Sequence, residues 1–232
     1  MRLTFDQVSP ARPVWIRGGS AIAYSTGAGQ GGSAWIKNAD GSGEAEELPI
    51  SLPTSCSYDG KFLLYQPEGR NGTDDIWYLP LDSEGKPTPF VEGGTQDRNG
   101  VFSPDGKLVA YEYRDSGLEE VIMTTFPSGE GRWQASVKSG VEPRWSPKGD
   151  ELFYIEVSSY SLMSVPVQRE PTLSLGAPQK LFSGRTPGVA LFAGYDVAKD
   201  AERFLMVQVF DRDNDKRSMA IVENWFAEFD AR

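Results

Sequence analysis

The 232-residue chain contains no histidine and a single cysteine. Without imidazole there is no Ser-His-Asp or Cys-His nucleophile pair, no histidine general base and no imidazole metal ligand. The one thiol, Cys56, cannot close an internal disulfide, and its place in an apolar-patterned strand predicts a buried, inert group. Positive charge is also scarce: 23 Lys and Arg stand against 33 Asp and Glu, a net charge of −10. That balance argues against nucleic acid, whose binders need a basic face to displace counterions, and against an anionic membrane surface. No apolar run approaches the roughly 18–20 residues of a membrane span. The N-terminal MRLTFDQVSPARPV lacks the apolar core of a secretory signal. Two locations stay open. A chain complete as given would be cytoplasmic; a segment of a longer exported or anchored protein would be periplasmic or otherwise extracytoplasmic.

What the chain does have is a phrase that recurs. FSPDGKLVAY, Phe102 to Tyr111, has counterparts aligned on Gly19, Gly60, Gly106, Gly149 and, degenerately, Ala201, at intervals of 41, 46, 43 and 52 residues. Four positions before each lie Trp15, Cys56, Phe102, Trp145 and Val197. Five positions after lie Tyr24, Tyr65, Tyr111, Tyr154 and Met206. Each copy reads as a strand closed by an apolar residue, a Ser-x-x-Gly turn and a second apolar strand. Proline and glycine supply the dihedral angles such a turn needs. A third strand follows ten to fifteen residues later, as in DIWYLPL from Asp75 and EVIMTTF from Glu120. A fourth follows in four copies, around Leu48, Phe90, Ala135 and Leu181. Val, Ile and aromatic residues fill these runs, and Gly, Asn and Asp separate them. No segment carries a helical period.

Four-stranded units of 40–50 residues are the mark of a β-propeller. The expected fold is all-β, a five-bladed β-propeller of four-stranded antiparallel blades in one domain, 1–232. The blades fall at roughly 11–50, 51–94, 95–138, 139–184 and 185–229 plus 1–6. The fifth copy lacks a fourth strand, and Arg2–Phe5 reads as the missing one, which would close the ring and hide two sheet edges; the alternative is that the chain is an excised part of a larger ring.

FSPDGKLVAY, WSPKGDELFY and DIWYLPLD together resemble the WD-like repeat of TolB-type propellers, a family that includes the C-terminal propellers of some bacterial serine/threonine kinases. The resemblance covers nearly the whole chain and implies the fold rather than an activity. It departs at RGGS in the first turn and AKDA in the fifth. No kinase signature is present, and there is no G-x-S-x-G elbow of the prolyl oligopeptidase-like enzymes that carry similar propellers.

Two groups of residues are candidate sites. Glu142 and Arg144 flank Pro143 at the start of an innermost strand, and Arg98 and Asn99 hold the corresponding place one blade earlier. Loops of all blades converge at a propeller's channel mouth, where ligands commonly bind. The competing reading of these four is a set of structural ion pairs. Asp211, Asp213 and Asp215 have the opening spacing of a calcium loop, but Lys216 and Val222 stand where its glycine and bidentate glutamate belong. A solvated acidic hairpin is the competing reading there. The aligned tyrosines, with Trp15, Phe102 and Trp145, are expected in the core.

The function these features predict is non-catalytic: a monomeric interaction or sensor module binding a protein or peptide, without a cofactor, nucleic acid or membrane insertion. The alternative is a small-molecule or carbohydrate site at the channel mouth, lyase- or hydrolase-like. Convergent charged groups around a pocket favour the second, and an exposed apolar patch the first.

Overall fold

A computed structural model describes residues 3, 10–27, 32–67, 75–82, 85–93, 96–115, 117–183, 194–211 and 216–222. Its strands follow the repeat. The first sheet holds β1 (Pro10–Ile16), β2 (Ala21–Thr26), β3 (Ala34–Asn38) and β4 (Glu46–Leu48), in that order. The second holds β5 (Leu52–Cys56), β6 (Phe62–Gln66), β7 (Ile76–Pro80) and β8 (Thr88–Val91), and the third β9 (Gln96–Phe102), β10 (Leu108–Asp115), β11 (Leu118–Thr125) and β12 (Trp133–Gln134). In the fourth, β13 (Val141–Trp145), β14 (Glu151–Glu156) and β15 (Ser161–Gln168) are followed by two short segments, β16 (Ser174–Leu175) and β17 (Gln179–Ser183), which both pair with β15. The fifth has three strands among the described residues, β18 (Tyr195–Val197), β19 (Phe204–Asp211) and β20 (Lys216–Val222). All the pairings are antiparallel. These sheets are the blades of an all-β propeller. Among the described residues the one helical segment is a 3-10 turn at Arg17–Gly19, and no helix is long and apolar enough to cross a membrane.

The Ser-x-x-Gly phrase owes its recurrence to hydrogen bonding. Gly60, Gly106 and Gly149 take φ of 74°, 70° and 73°, and each N–H donates to the carbonyl of Ser57, Ser103 or Ser146 at 2.8–2.9 Å. The serine hydroxyls are buried. Ser57 Oγ donates to Asp59 Oδ1 at 2.6 Å and accepts from Phe62 N at 3.0 Å; Ser103 repeats this with Asp105 and Leu108. In the fourth sheet Lys148 occupies the carboxylate's position, and Asp150, two residues later, accepts the Ser146 proton at 2.6 Å instead. The degenerate fifth turn keeps the backbone pattern: Ala201 N donates to Ala198 O at 2.9 Å, with Ala201 at φ 60°. A Cβ in that region is strained by about 1 kcal/mol. Ala201→Gly is therefore expected to raise the melting temperature by about 1–4 °C in a calorimetric scan, after the small loss of its packing on the fifth sheet. A lower melting temperature would mean that the methyl contact outweighs the strain.

Two compact units make up the chain, 1–115 with 124–131, and 116–123 with 132–232. In the first, Ile16, Ala21, Ala23, Ala34, Ile36, Leu63, Tyr65 and Leu79 form a core shared by the first two sheets. Phe126 is the centre of a second cluster, with the rings of Phe62, Tyr78, Phe90 and Phe102 packed edge-on at 4.9–5.2 Å. In the second unit Val141, Phe153, Ile155, Leu162, Leu181, Phe182, Tyr195, Phe204 and Met206 join the fourth and fifth sheets.

Tyr24, Tyr65, Tyr111 and Tyr154 are buried as expected. Trp15 is not: 64% of it is exposed, whereas Phe102 and Trp145 are buried. Trp145 lies under the Arg169 guanidinium, 5.7 Å from its ring centroid, and between Trp15 and Phe102 the difference lies in the residue that ends the third strand and bonds back to the turn. Ala39 N, Leu81 N and Phe126 N donate to the carbonyls of Ser20, Lys61 and Lys107. Phe126 covers Phe102 at 4.9 Å, while the equivalent Ala39 has no ring to place over Trp15. Cys56 is half-buried, and burial, then the Asp59 charge, push its thiol up to about 11, as an inert group requires.

The proposed closing strand falls outside the described residues, apart from Leu3. Leu3 lines a small apolar cavity of about 180 Å³ with Pro10, Ala11, Pro13, Ile22, Tyr24 and Lys37.

Candidate functional site

The first strand of a sheet repeatedly breaks register at one point. Ala11 pairs with Ser25 and Val14 with Ala23, so Arg12 and Pro13 together oppose Tyr24. Asn99 and Gly100 oppose Tyr111 in the same way, and Glu142 and Pro143 oppose Tyr154. β5 also shifts, between Pro53 and Ser55. These are β-bulges, which re-aim side chains and are found beside functional sites. At Pro13, Pro53 and Pro143 the sequence favours them, because proline cannot donate to a sheet ladder and is tolerated in a strand only at an edge or a bulge; the bulge at Asn99 and Gly100 has a glycine instead.

The bulges have a second property. Their first residues, Arg12, Asn99 and Glu142, take φ of 51°, 52° and 55°, the left-handed region. All three stand seven positions before the turn residue of their repeat. Gly194, the fifth equivalent, has φ 96°, and Pro53, the second, is barred from such angles by its ring. A bulge of this type ordinarily has glycine at that place.

In the first unit the bulges share a polar network. Arg12 Nη1 donates to Gln66 Oε1 and to Asn99 Oδ1, both at 3.1 Å. Asn99 Nδ2 donates to Glu112 Oε1 at 2.8 Å, and Asn99 N to Gln66 Oε1 at 3.4 Å. Gln66 and Glu112 are buried, and so is Ser25, whose hydroxyl donates to Ala11 O at 3.1 Å. All three directly follow the aligned tyrosine of their repeat. Sequence reasoning passed over Arg12, Gln66 and Glu112, although for the last two a polar residue repeated directly after the tyrosine of an apolar strand was the available signal.

In the second unit Glu142 and Arg144 form a partly buried ion pair, Nη2 to Oε2 3.2 Å, and Arg144 Nη1 donates to Pro143 O at 2.8 Å. The guanidinium carbon lies 5.8 Å from the Tyr195 ring centroid. Tyr195 is buried, and its hydroxyl donates to the Glu142 carbonyl at 2.9 Å. Burial, only partly offset by Arg144, raises its phenol far above the usual range, so it remains a neutral donor. The left-handed Glu142 backbone is thus fixed from below, and its carboxylate is held by a partner that keeps other contacts.

The four candidate residues are therefore not two equivalent pairs. Asn99 and Glu142 occupy one repeat position, while Arg98 lies half-buried one step earlier, opposite Glu112, and Arg144 two steps later. Of the acidic triplet, Asp213 and Asp215 lie outside the described residues; Asp211 ends β19 and pairs with Lys216 of β20. Among the described residues no three Asp, Glu or Cys side chains gather as a metal site.

No protein-family model matches the chain, and no curated protein does. Solved structures do. TolB from Acinetobacter baumannii superposes with a TM-score of 0.70 at 15% identity, over 95% of this chain and 53% of that one. A TolB assigned in Agrobacterium tumefaciens gives 0.71 at 14%, over 95% and 79%. The β-propeller domain of the Trilobed protease from Pyrococcus furiosus gives 0.53 at 15%, over 94% and 69%. The chain thus spans about half the length of the Acinetobacter protein. At these identities the likeness is one of fold, and the fold is the β-propeller of TolB and its structural relatives.

Proposed function

We propose that the chain is a non-catalytic interaction module that binds a protein or peptide segment through the side chains at its left-handed bulges, each unit presenting its own contacts: Arg12 and Asn99 in the first, Glu142 in the second. One observation carries this: Arg12, Asn99 and Glu142 occupy strained positions that glycine would fill without strain, as Gly194 does. Holding a non-glycine residue there is unfavourable by about 1 kcal/mol, least for Asn. Strain of this kind persists only where the surrounding structure enforces it, and it clusters at binding and active sites. The three side chains differ in chemistry and make different contacts, so no single structural role explains them. A guanidinium, an amide and a carboxylate can address a carboxylate or carbonyl, a peptide group and a cation respectively. Catalysis is left out of the proposal because the chain has no histidine and Glu142 is already paired with Arg144.

The test is a display selection of random twelve-residue peptides on the native chain, followed by affinity measurements on the Arg12→Gly/Glu142→Gly variant. Asn99 is kept in place, because its amide satisfies the buried Glu112. Selected peptides should bind the variant at least tenfold more weakly, about 1.4 kcal/mol, with its melting temperature close to that of the native chain. Equal affinity for both proteins, or a selection that enriches nothing, overturns the proposal.

A further inference from the structure

A groove of about 310 Å³ in the first unit is lined by Ser57, Tyr58 and Asp59 of one turn, by Pro104, Asp105 and Gly106 of another, and by Phe62, Phe126 and Pro127. Tyr58, at one edge of it, is 87% exposed. Tyr58, Phe62, Phe126, Pro104 and Pro127 give it a surface of rings. Asp59 and Asp105 give it two carboxylates, each oriented by a serine hydroxyl at 2.6 Å.

We propose that this groove docks an extended, proline-containing peptide that carries an arginine. Three features select that occupant. Four turn amides are already taken: Gly60 N and Gly106 N donate to Ser57 O and Ser103 O, and Ser57 N and Ser103 N to Phe62 O and Leu108 O. The groove therefore does not recruit a peptide by adding a strand, which requires open main-chain groups. A polyproline-type segment suits it, since such a segment keeps its own backbone solvated and stacks its rings on aromatic ones. The arginine follows from charge. Asp59 Oδ2 is 3.7 Å from Lys61 Nζ, a half-exposed and weakly held pair that a bidentate guanidinium can displace. The net charge of −10 favours approach of a basic peptide over an acidic one.

The experiment titrates a ten-residue proline–leucine peptide with one central arginine into the ¹⁵N-labelled chain. Its arginine→glutamate counterpart and a leucine–lysine amphipathic helix serve as comparisons. Amide shifts should concentrate at Tyr58, Gly60 and Gly106, and the arginine peptide should bind at least tenfold tighter than the glutamate one. Tyr58→Ala removes an exposed ring, so it should leave the melting temperature unchanged while weakening binding at least fivefold. Arg12→Gly/Glu142→Gly should bind the arginine peptide as the native chain does, which separates this groove from the contacts at the bulges. The proposal fails if the arginine peptide causes no shift at millimolar concentration. It also fails if the two proline peptides bind equally, if the helix binds better, or if Tyr58→Ala has no effect.

Discussion

Phe204→Ala is expected to lower the stability of the chain by about 3–5 kcal/mol, the range for removing a fully buried aromatic side chain. Phe204 has no solvent exposure, and its ring meets Phe153 and Phe182 edge-on at 5.2 and 5.9 Å. Val141, Ile155, Leu162 and Leu181 complete the same cluster, so the surroundings are strands of two sheets that cannot collapse into the space. Against a typical total of 5–15 kcal/mol, that loss is a large fraction. Leu205, the next residue, points to the opposite face and is 39% exposed, so Leu205→Ala should cost much less. Urea titration of both variants checks the pair. A midpoint for Phe204→Ala close to that of Leu205→Ala would contradict the assignment of this cluster as the core between the last two sheets. The same variant reaches the proposed site, because Tyr195 belongs to the cluster and its hydroxyl holds the Glu142 carbonyl.

Ser103→Ala should destabilise by about 1–3 kcal/mol, although it removes one oxygen. That oxygen accepts from Leu108 N at 3.0 Å and donates to Asp105 Oδ1 at 2.6 Å, and both Ser103 and Leu108 are buried. Alanine leaves the Leu108 N–H without an acceptor in a site closed to water, and that loss dominates. Ser57→Ala should act similarly and have a pH signature. The Ser57 hydroxyl, chiefly, holds the Asp59 carboxyl below its ordinary range. A carboxyl depressed in the folded state contributes stability above its unfolded pKa, about 3.9. That contribution fades as pH falls through the lower folded value. Ser57→Ala should therefore show a weaker loss of stability on acidification than the native chain. Denaturant midpoints between pH 2 and 6 read the difference, and parallel curves would refute it.

These two variants mark where the sequence was legible. Ser103, Gly106 and Leu108 form a local hydrogen-bonding unit, so the phrase that contains them announces its own turn and the strands on either side. The fixed tyrosine register was equally readable, because alternation within a strand decides which face is buried. Trp15 was not readable. Its exposure depends on Ala39, which stands where Phe126 covers Phe102, and that relation joins separate stretches of chain. The bulges were half legible: Pro13 and Pro143 mark them in the sequence, but left-handed angles at Arg12, Asn99 and Glu142 are not written in those residue types. The partners Gln66 and Glu112 needed three-dimensional pairing to be found.

The central claim is that Glu142 holds a position suited to glycine and is kept for its side chain. The most direct measurement compares the unfolding free energies of Glu142→Gly and Glu142→Ala. Both lose the partly buried pair with Arg144 alike, so their difference isolates the backbone. Strain at φ 55° predicts that Glu142→Gly is the more stable by about 1 kcal/mol and melts no lower than the native chain. A glycine variant less stable than the alanine variant would show an unstrained backbone there and contradict the account.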